Sequence, residues 1–144
     1  MAITQLSAFL ENRPGTLYKA VRAISDAGVN LRALSVADTK DFGILRVIVD
    51  DVEKAKAVLS DDTIITQTQV IGVKMNDKAG ALTNILWMIE GAGINVEYVY
   101  AFTGGSQGSA YVVLRVDDNE HAESVLGVNG ITTLNDEDLY SVLA

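Results

Sequence analysis

One short stretch occurs twice in this chain, and the repeat constrains the fold more than any other feature. The first copy is Glu11–Leu17 and the second is Asn76–Leu82, so the copies are 65 residues apart (76 − 11). Each copy is followed by the same closing pattern, Ala27–Asn30 in the first and Ala92–Asn95 in the second. A sequence that repeats at a fixed offset is best interpreted one unit at a time. We therefore predict two copies of one small structural unit.

The repeat divides the 144 residues into a first domain over 1–67 and a second over 68–144. Units of this size have small cores and gain stability from packing on a twin. No flexible tract rich in glycine, serine or proline separates them between residues 63 and 75. We therefore expect the two units to be rigidly joined and related by a pseudo-two-fold axis.

The apolar pattern of each unit predicts the order β-α-β-β-α-β. In the first unit, alternation over residues 3–10 predicts a strand, which Pro14 ends. Helical spacing of apolar residues predicts a helix from Thr16 to Ala27, and Gly28 suits its end. The remaining elements are predicted as strands over 29–37 and 43–49, a helix capped by Asp50 or Asp51, and a strand over 63–66. The second unit repeats this order from a strand over 70–76, so every element occurs twice.

This element order is the ferredoxin-like arrangement of the α+β class. Right-handed crossovers place both helices of a unit on one face of a four-stranded antiparallel sheet with strand order 4-1-3-2. The opposite sheet face would carry Ile44, Arg46 and Ile48 in the first unit and Tyr111, Val113 and Arg115 in the second. Because this face is too apolar for a surface in water, we expect another sheet or subunit to cover part of it.

Composition excludes several classes of function. The net charge of −8 repels phosphate backbones, so we expect no nucleic acid partner. No apolar run approaches the length of a membrane span, and the N-terminus lacks a signal-peptide pattern. The absence of cysteine excludes disulfides and thiolate metal sites and is compatible with the reducing cytoplasm. Hydrophobic residues make up 49% of the chain, which is enough for well-packed cores.

The repeated stretch, the helix after it and the closing Ala-Gly-Val/Ile-Asn pattern resemble the ACT domain, a family of small regulatory modules that bind amino acids. Residues 93–102 and 135–140 resemble stand-alone tandem ACT proteins in particular, and the similarity spans nearly the whole chain. The resemblance implies a non-catalytic, allosteric module without a cofactor, regulating a metabolic enzyme or another regulator. It also implies these ligand-binding residues: Asn12, Arg13, Gly15, Thr16, Leu17, Asn30, Asn76, Asp77, Gly80, Ala81, Leu82 and Asn95.

The residues themselves support an anion-binding role for the start of each unit's first helix. The first turn of a helix presents amide hydrogens without helical partners, backed by a partial positive charge. Gly15 and Gly80 would let a carboxylate approach these amides closely. The alternative is that Asn12 and Asp77 simply cap the helices and that the protein is a purely structural dimerisation domain.

Geometry limits how one ligand can contact both ends of the motif. Gly15 precedes the first helix and Asn30 follows it, so roughly 18 Å separate them, too far for one small amino acid. The second strand of each unit is a sheet edge, and antiparallel pairing of two such edges would place Asn12 and Gly15 beside an Asn95-type residue. Reciprocally, Asp77 and Gly80 would lie beside an Asn30-type residue. The pairing can form within one chain or between the chains of a homodimer.

Other chemical candidates have simpler explanations. His121 is the only histidine and has no partner nucleophile in the pattern, so we expect it to be solvated and the chain not to be an enzyme. Residues 104–108 are rich in glycine but join two strands, which indicates a flexible hairpin instead of a phosphate loop. Trp87 lies nearly opposite the core stripe of its helix, where the first unit has Arg22. Trp87 therefore marks either a lone exposed side chain or a contact surface, which we expect to lie in a homodimer.

Overall fold

The structure is a computed structural model that describes residues 2–39, 41–60 and 63–141. Its elements follow the predicted order twice. They are β1 (Ile3–Glu11), α1 (Thr16–Asp26), β2 (Leu31–Asp38), β3 (Phe42–Val49), α2 (Val52–Leu59), β4 (Ile64–Asn76), α3 (Ala81–Gly91), β5 (Val96–Ala101), β6 (Ser109–Val116), α4 (Asn119–Val128), β7 (Thr133–Leu134) and α5 (Asp138–Ser141). None of the helices in these ranges is long and apolar enough to cross a membrane.

The chain divides into two compact units. One comprises Thr4–Thr68, and the other comprises Gln69–Ala144 together with the first residues of the chain. The sheet order is β2-β3-β1-β4 in the first unit and β7-β4-β6-β5 in the second. Strand β3 pairs antiparallel with β1 and β2, β4 with β6 and β7, and β5 with β6. Both orders are the predicted 4-1-3-2 arrangement, so two ferredoxin-like units are confirmed.

Strand β4 differs from the prediction, because one strand occupies the place of two. It runs without interruption from Ile64 to Asn76 and contributes to the sheets of both units. Its central residues are Thr66, Gln67, Thr68 and Gln69, which include no glycine or proline to stop an extended backbone. The separate strands expected over 63–66 and 70–76 are therefore one element.

Each unit has its own apolar core between the sheet and its helices. In the first unit, Leu6 pairs with Val47 and Ala8 with Leu45 across β1 and β3, and Ile24 of α1 packs on the same cluster. The second unit repeats this with Ile71 opposite Leu114, Val73 opposite Val112, and Ile85 and Ile89 of α3. Fully burying one such branched side chain stabilises a fold by about 1.5–3 kcal/mol. The helical spacing seen in the sequence therefore identifies the buried helix faces.

We expected another sheet or subunit to cover part of the opposite sheet face, and much of this face is buried within one chain. Ile48, Tyr111 and Val113 are buried in one chain, and Ile44 and Arg46 are half-buried. Their apolar character alone therefore gives no reason to invoke a second subunit.

The glycine-rich loop contributes to the burial of Tyr111. Gly105 lies so close to the Tyr111 ring that a Cβ at this position would come within 2.4 Å of it. The Ser106 hydroxyl and the Tyr111 hydroxyl are 2.9 Å apart and share a hydrogen bond. Residues 104–108 join the antiparallel strands β5 and β6 as the predicted hairpin, and part of this loop packs on the sheet.

Candidate functional site

Glycine directly precedes the first helix of each unit. Gly15 has φ of +91° before α1, and Gly80 has φ of +89° before α3. Residues with a side chain rarely adopt this left-handed backbone conformation, which explains why both positions are occupied by glycine. Neither helix has a side-chain cap, so the interpretation of Asn12 and Asp77 as capping residues was wrong. Gly15 and Gly80 occupy the cap positions. Asn12 and Asp77 lie three residues earlier, in the turn that follows the strand.

The turn before α1 leaves several amides open. Among the residues that the structure describes, none accepts a hydrogen bond from the main-chain N–H groups of Gly15, Leu17 and Tyr18. The Thr16 N–H differs, because it donates to the Arg13 carbonyl oxygen at 3.4 Å. Apart from its chain neighbours, no atom of the described residues lies within 4 Å of the position that a Cβ on Gly15 would take. The open amides therefore lie at the positive end of the helix dipole, beside open space at Gly15.

The turn before α3 in the second unit has the same main-chain hydrogen bonds as the turn before α1, but different side chains. The amides of Gly80, Leu82 and Thr83 are open in the same sense, and the Ala81 N–H donates to the Lys78 carbonyl oxygen at 3.3 Å. In the first unit, the Thr16 hydroxyl also donates to the carbonyl oxygens of Glu11 (2.7 Å) and Arg13 (3.1 Å). Ala81 has no hydroxyl, so the second turn lacks these two bonds. We expected Thr16 and Ala81 to offer their amides to a ligand, but these two amides close the turn.

Several predicted residues line two equivalent hollows beside these turns. In the first unit, Arg13 and Thr16 line a hollow of about 380 Å³ together with Lys19. In the second unit, Asn76 and Ala81 line one of about 360 Å³. Leu17, whose amide is one of the open ones, has a side chain that is 40% exposed. A residue of the apolar core would be buried.

Asn30 and Asn95 lie at the other end of the helices, each held by an aspartate. The Asn30 N–H donates to Asp50 Oδ1 at 3.0 Å, and the Asn95 N–H donates to Asp117 Oδ1 at 3.1 Å. Both asparagine residues are exposed. Since α1 has 11 residues, its ends are about 16 Å apart, and neither unit by itself brings its asparagine to its own open amides.

The role of Asp50 and Asp117 was missing from the sequence prediction. Asp51 and Asp118 cap α2 and α4, accepting from the main-chain N–H groups three residues later at 3.1 Å each. The aspartate before each cap therefore has a different function, which is to hold the asparagine after the first helix. The recurrence of two adjacent aspartates in both units was the available signal, since one cap needs only one of them.

Other reactive side chains offer no further site in the part of the chain that the structure describes. His121 is exposed on α4. Within the described ranges, no group of three histidine, cysteine, aspartate or glutamate side chains could hold a metal ion.

Comparison with known proteins identifies the family to which the chain belongs. The family described as ACT domain pair matches residues 1–143. The protein BT0572 from Bacteroides thetaiotaomicron has a crystal structure with a TM-score of 0.90 and 35% identity, over 99% of this chain and 98% of that one. No match was found among curated proteins.

More distant solved structures share the fold. The ligand-free regulatory subunit of aspartate kinase from Thermus thermophilus has a TM-score of 0.66 and 14% identity, over 88% of this chain and 90% of that one. The corresponding subunit from Thermus flavus has a TM-score of 0.62 and 14% identity, with the same coverage. At this identity the similarity concerns the fold alone. The match over residues 1–143 carries the assignment, and the chain belongs to the family of ACT domain pairs.

Proposed function

We propose that this ACT domain pair is a non-catalytic regulatory module that binds a small amino acid. The ligand carboxylate is held by the open amides at the start of the first helix in each unit. One observation carries the proposal: the amides of Gly15, Leu17 and Tyr18, and their equivalents in the second unit, have no partner among the described residues, and the space beside Gly15 and Gly80 is open. Backbone N–H groups at a helix N-terminus suit carboxylates because the helix dipole favours negative charge there.

The rest of the ligand needs acceptors for its ammonium group. The side-chain oxygens of Asn30 and Asn95 are suitable, and both residues are exposed. In the proposed homodimer, the edge strand β2 or β5 of one copy pairs antiparallel with an edge strand of the other. The open amides of one copy then lie beside an asparagine of its partner. Because the ligand would contact both copies, binding would stabilise their association and provide a route to regulation.

Two further expectations belong to this proposal. The domain limits 1–67 and 68–144 stay a prediction, as does a location in the cytoplasm, which the cysteine-free sequence suits. Regulatory subunits of aspartate kinase share the fold, which is compatible with a metabolic enzyme as the regulated partner.

Calorimetry and thermal shift against the twenty amino acids test the proposal directly. We expect at least one small amino acid to bind the wild-type chain and raise its melting temperature. Gly15→Asp with Gly80→Asp should abolish this binding, because each new carboxylate repels that of the ligand. Gly15→Asn with Gly80→Asn is the matched control, since asparagine imposes the same backbone strain without the charge and should retain more binding.

The competing function is a structural dimerisation domain without a small-molecule ligand. It predicts that no amino acid shifts the melting temperature, although the chain still self-associates. Equal binding by the wild type and the folded aspartate double variant would also contradict the proposed site.

A further inference from the structure

The second unit exposes its one tryptophan on α3. Trp87 is the only tryptophan of the chain, and it is 73% exposed on α3. Its indole forms one wall of an open hollow of about 450 Å³, which Lys78, Gly80 and Asn84 also line. A large aromatic side chain beside such a hollow is a common anchor of protein interfaces. Trp87 is not part of the core of the second unit, so it is available for a contact with another molecule.

The helix layers of the two units carry opposite charge. By helix layer we mean α1 with α2 in the first unit and α3 with α4 in the second. The first layer has four lysine or arginine residues and two acidic ones, which makes a net charge of +2. The second has three glutamates, Glu90, Glu120 and Glu123, and no lysine or arginine, which makes a net charge of −3. Surfaces of opposite charge attract each other and orient an encounter.

The first layer also presents a suitable contact for an indole. Arg22 occupies the position in α1 that Trp87 occupies in α3, since the repeats are 65 residues apart (87 − 22). The Arg22 guanidinium lies over the Tyr18 ring, 5.9 Å from its centroid, and its side chain is 61% exposed. The Arg22 Nε also pairs with Asp26 Oδ2 at 3.4 Å, and the exposed guanidinium suits a second aromatic ring, because arginine stacks well on tryptophan.

We propose that the helix layer of the second unit, anchored by Trp87, docks against the helix layer of the first unit in a second copy of this chain. Trp87 stacks on Arg22 of that copy, and the acidic α3–α4 layer faces the basic α1–α2 layer. The contact needs no bound amino acid and uses neither sheet edge. It is therefore independent of edge pairing, but it adjoins the proposed ligand site of the second unit, because Gly80 also lines the hollow beside Trp87.

Trp87 itself reports on the contact, because no other residue of the chain contributes tryptophan fluorescence. We expect the emission of the wild-type chain to shift to shorter wavelength as the concentration rises from about 0.1 to about 100 µM, since docking removes the indole from water. Raising the salt concentration from roughly 50 to roughly 500 mM should reverse the shift, because screening weakens contacts between opposite charges. An emission maximum that stays at the solvent-exposed wavelength over this range would overturn the proposal.

A mixing experiment separates docking from a loss of folding. Trp87→Arg and Arg22→Glu should each weaken self-association about tenfold or more, as removal of an interface anchor does. A mixture of the two variants should associate again, because one chain keeps Arg22 and the other keeps Trp87. Titrating the tryptophan-free Trp87→Arg chain into the Arg22→Glu chain should therefore shift the emission to shorter wavelength.

Ile64→Arg is the matched control. Ile64 is also 73% exposed, but it belongs to β4 and its neighbour Ile65 faces the helix side. This substitution removes an equally exposed apolar side chain outside the helix layers and should leave the fluorescence shift unchanged. A wild-type shift that survives in the Arg22→Glu chain alone, or a mixture that fails to associate, would refute the assignment of Arg22 as the partner of Trp87.

Discussion

Asn30 and Asp50 hold each other through two hydrogen bonds in the first unit. The Asn30 N–H donates to Asp50 Oδ1 at 3.0 Å, and the Asp50 N–H donates to the Asn30 carbonyl oxygen at 3.2 Å. Asn95 and Asp117 repeat the pair in the second unit at 3.1 and 3.3 Å. The pair joins the start of the strand after the first helix to the residue before the capping aspartate of the second. A predicted ligand-binding residue is therefore positioned by an aspartate that lies 20 residues further along the chain.

Replacing Asp50 with alanine should destabilise the chain by about 1–2 kcal/mol, because the Asn30 N–H loses a charged acceptor. Asp50→Asn keeps an oxygen at the same position and should cost less than half as much. Urea unfolding followed by circular dichroism measures both values. Equal loss in the two variants would show that charge, and not the hydrogen bond, makes the contribution.

Asp51 and Asp118 should contribute to stability as helix caps. Asp51→Ala and Asp118→Ala should each cost about 1 kcal/mol, since an N–H at the start of α2 or α4 loses its acceptor. The two substitutions lie in different units and share no partner, so the double variant should lose the sum of the two values. Chemical denaturation of the two single variants and the double variant tests this, and a strongly non-additive result would contradict independent capping.

Two glycines near the end of α3 should respond to alanine in opposite directions. Gly91 is helical and an added Cβ would meet nothing within 4 Å, so Gly91→Ala should stabilise the chain by about 0.5–1 kcal/mol. Gly93 has φ of +81°, so Gly93→Ala should destabilise it by about 1–2 kcal/mol. Thermal unfolding of the two variants provides the comparison. A stabilising Gly93→Ala would contradict the left-handed turn.

Gly72 should tolerate no side chain next to Ile3. A Cβ at Gly72 would lie 2.5 Å from Ile3 Cδ1 and 3.2 Å from Leu134 Cβ, so Gly72→Ala should cost about 1–3 kcal/mol. Ile3→Val removes the nearest methyl group and alone should cost about 0.5–1.5 kcal/mol. The double variant should lose less stability than the sum of the losses in the two single variants. If the two losses of stability were fully additive, the Ile3 Cδ1 methyl group would not be the group that clashes with the new side chain.

The repeated sequence pattern predicted the helices of the candidate site, but it did not predict the hydrogen bonds in the turns before them. Periodicity located α1 and α3 because burial of one helix face leaves a spacing that the sequence shows directly. It did not reveal that the Thr16 amide closes the turn through Arg13, because that bond depends on the path of four consecutive residues. Capping by Asn12 was a reasonable prediction from residue type. The left-handed Gly15 occupies the cap position instead.

By itself, the sequence determined the two-fold repetition, the βαββαβ order of each unit, the strand order and the glycines that end or begin the helices. These properties follow from apolar spacing and from local backbone preference, which are encoded within a few residues. Only the tertiary structure decided that β4 is continuous, that Asp50 holds Asn30, and that the loop containing Gly105 covers Tyr111. Each of these depends on residues brought together by strand pairing or loop packing, and no local pattern specifies which distant group will lie within hydrogen-bonding or van der Waals contact.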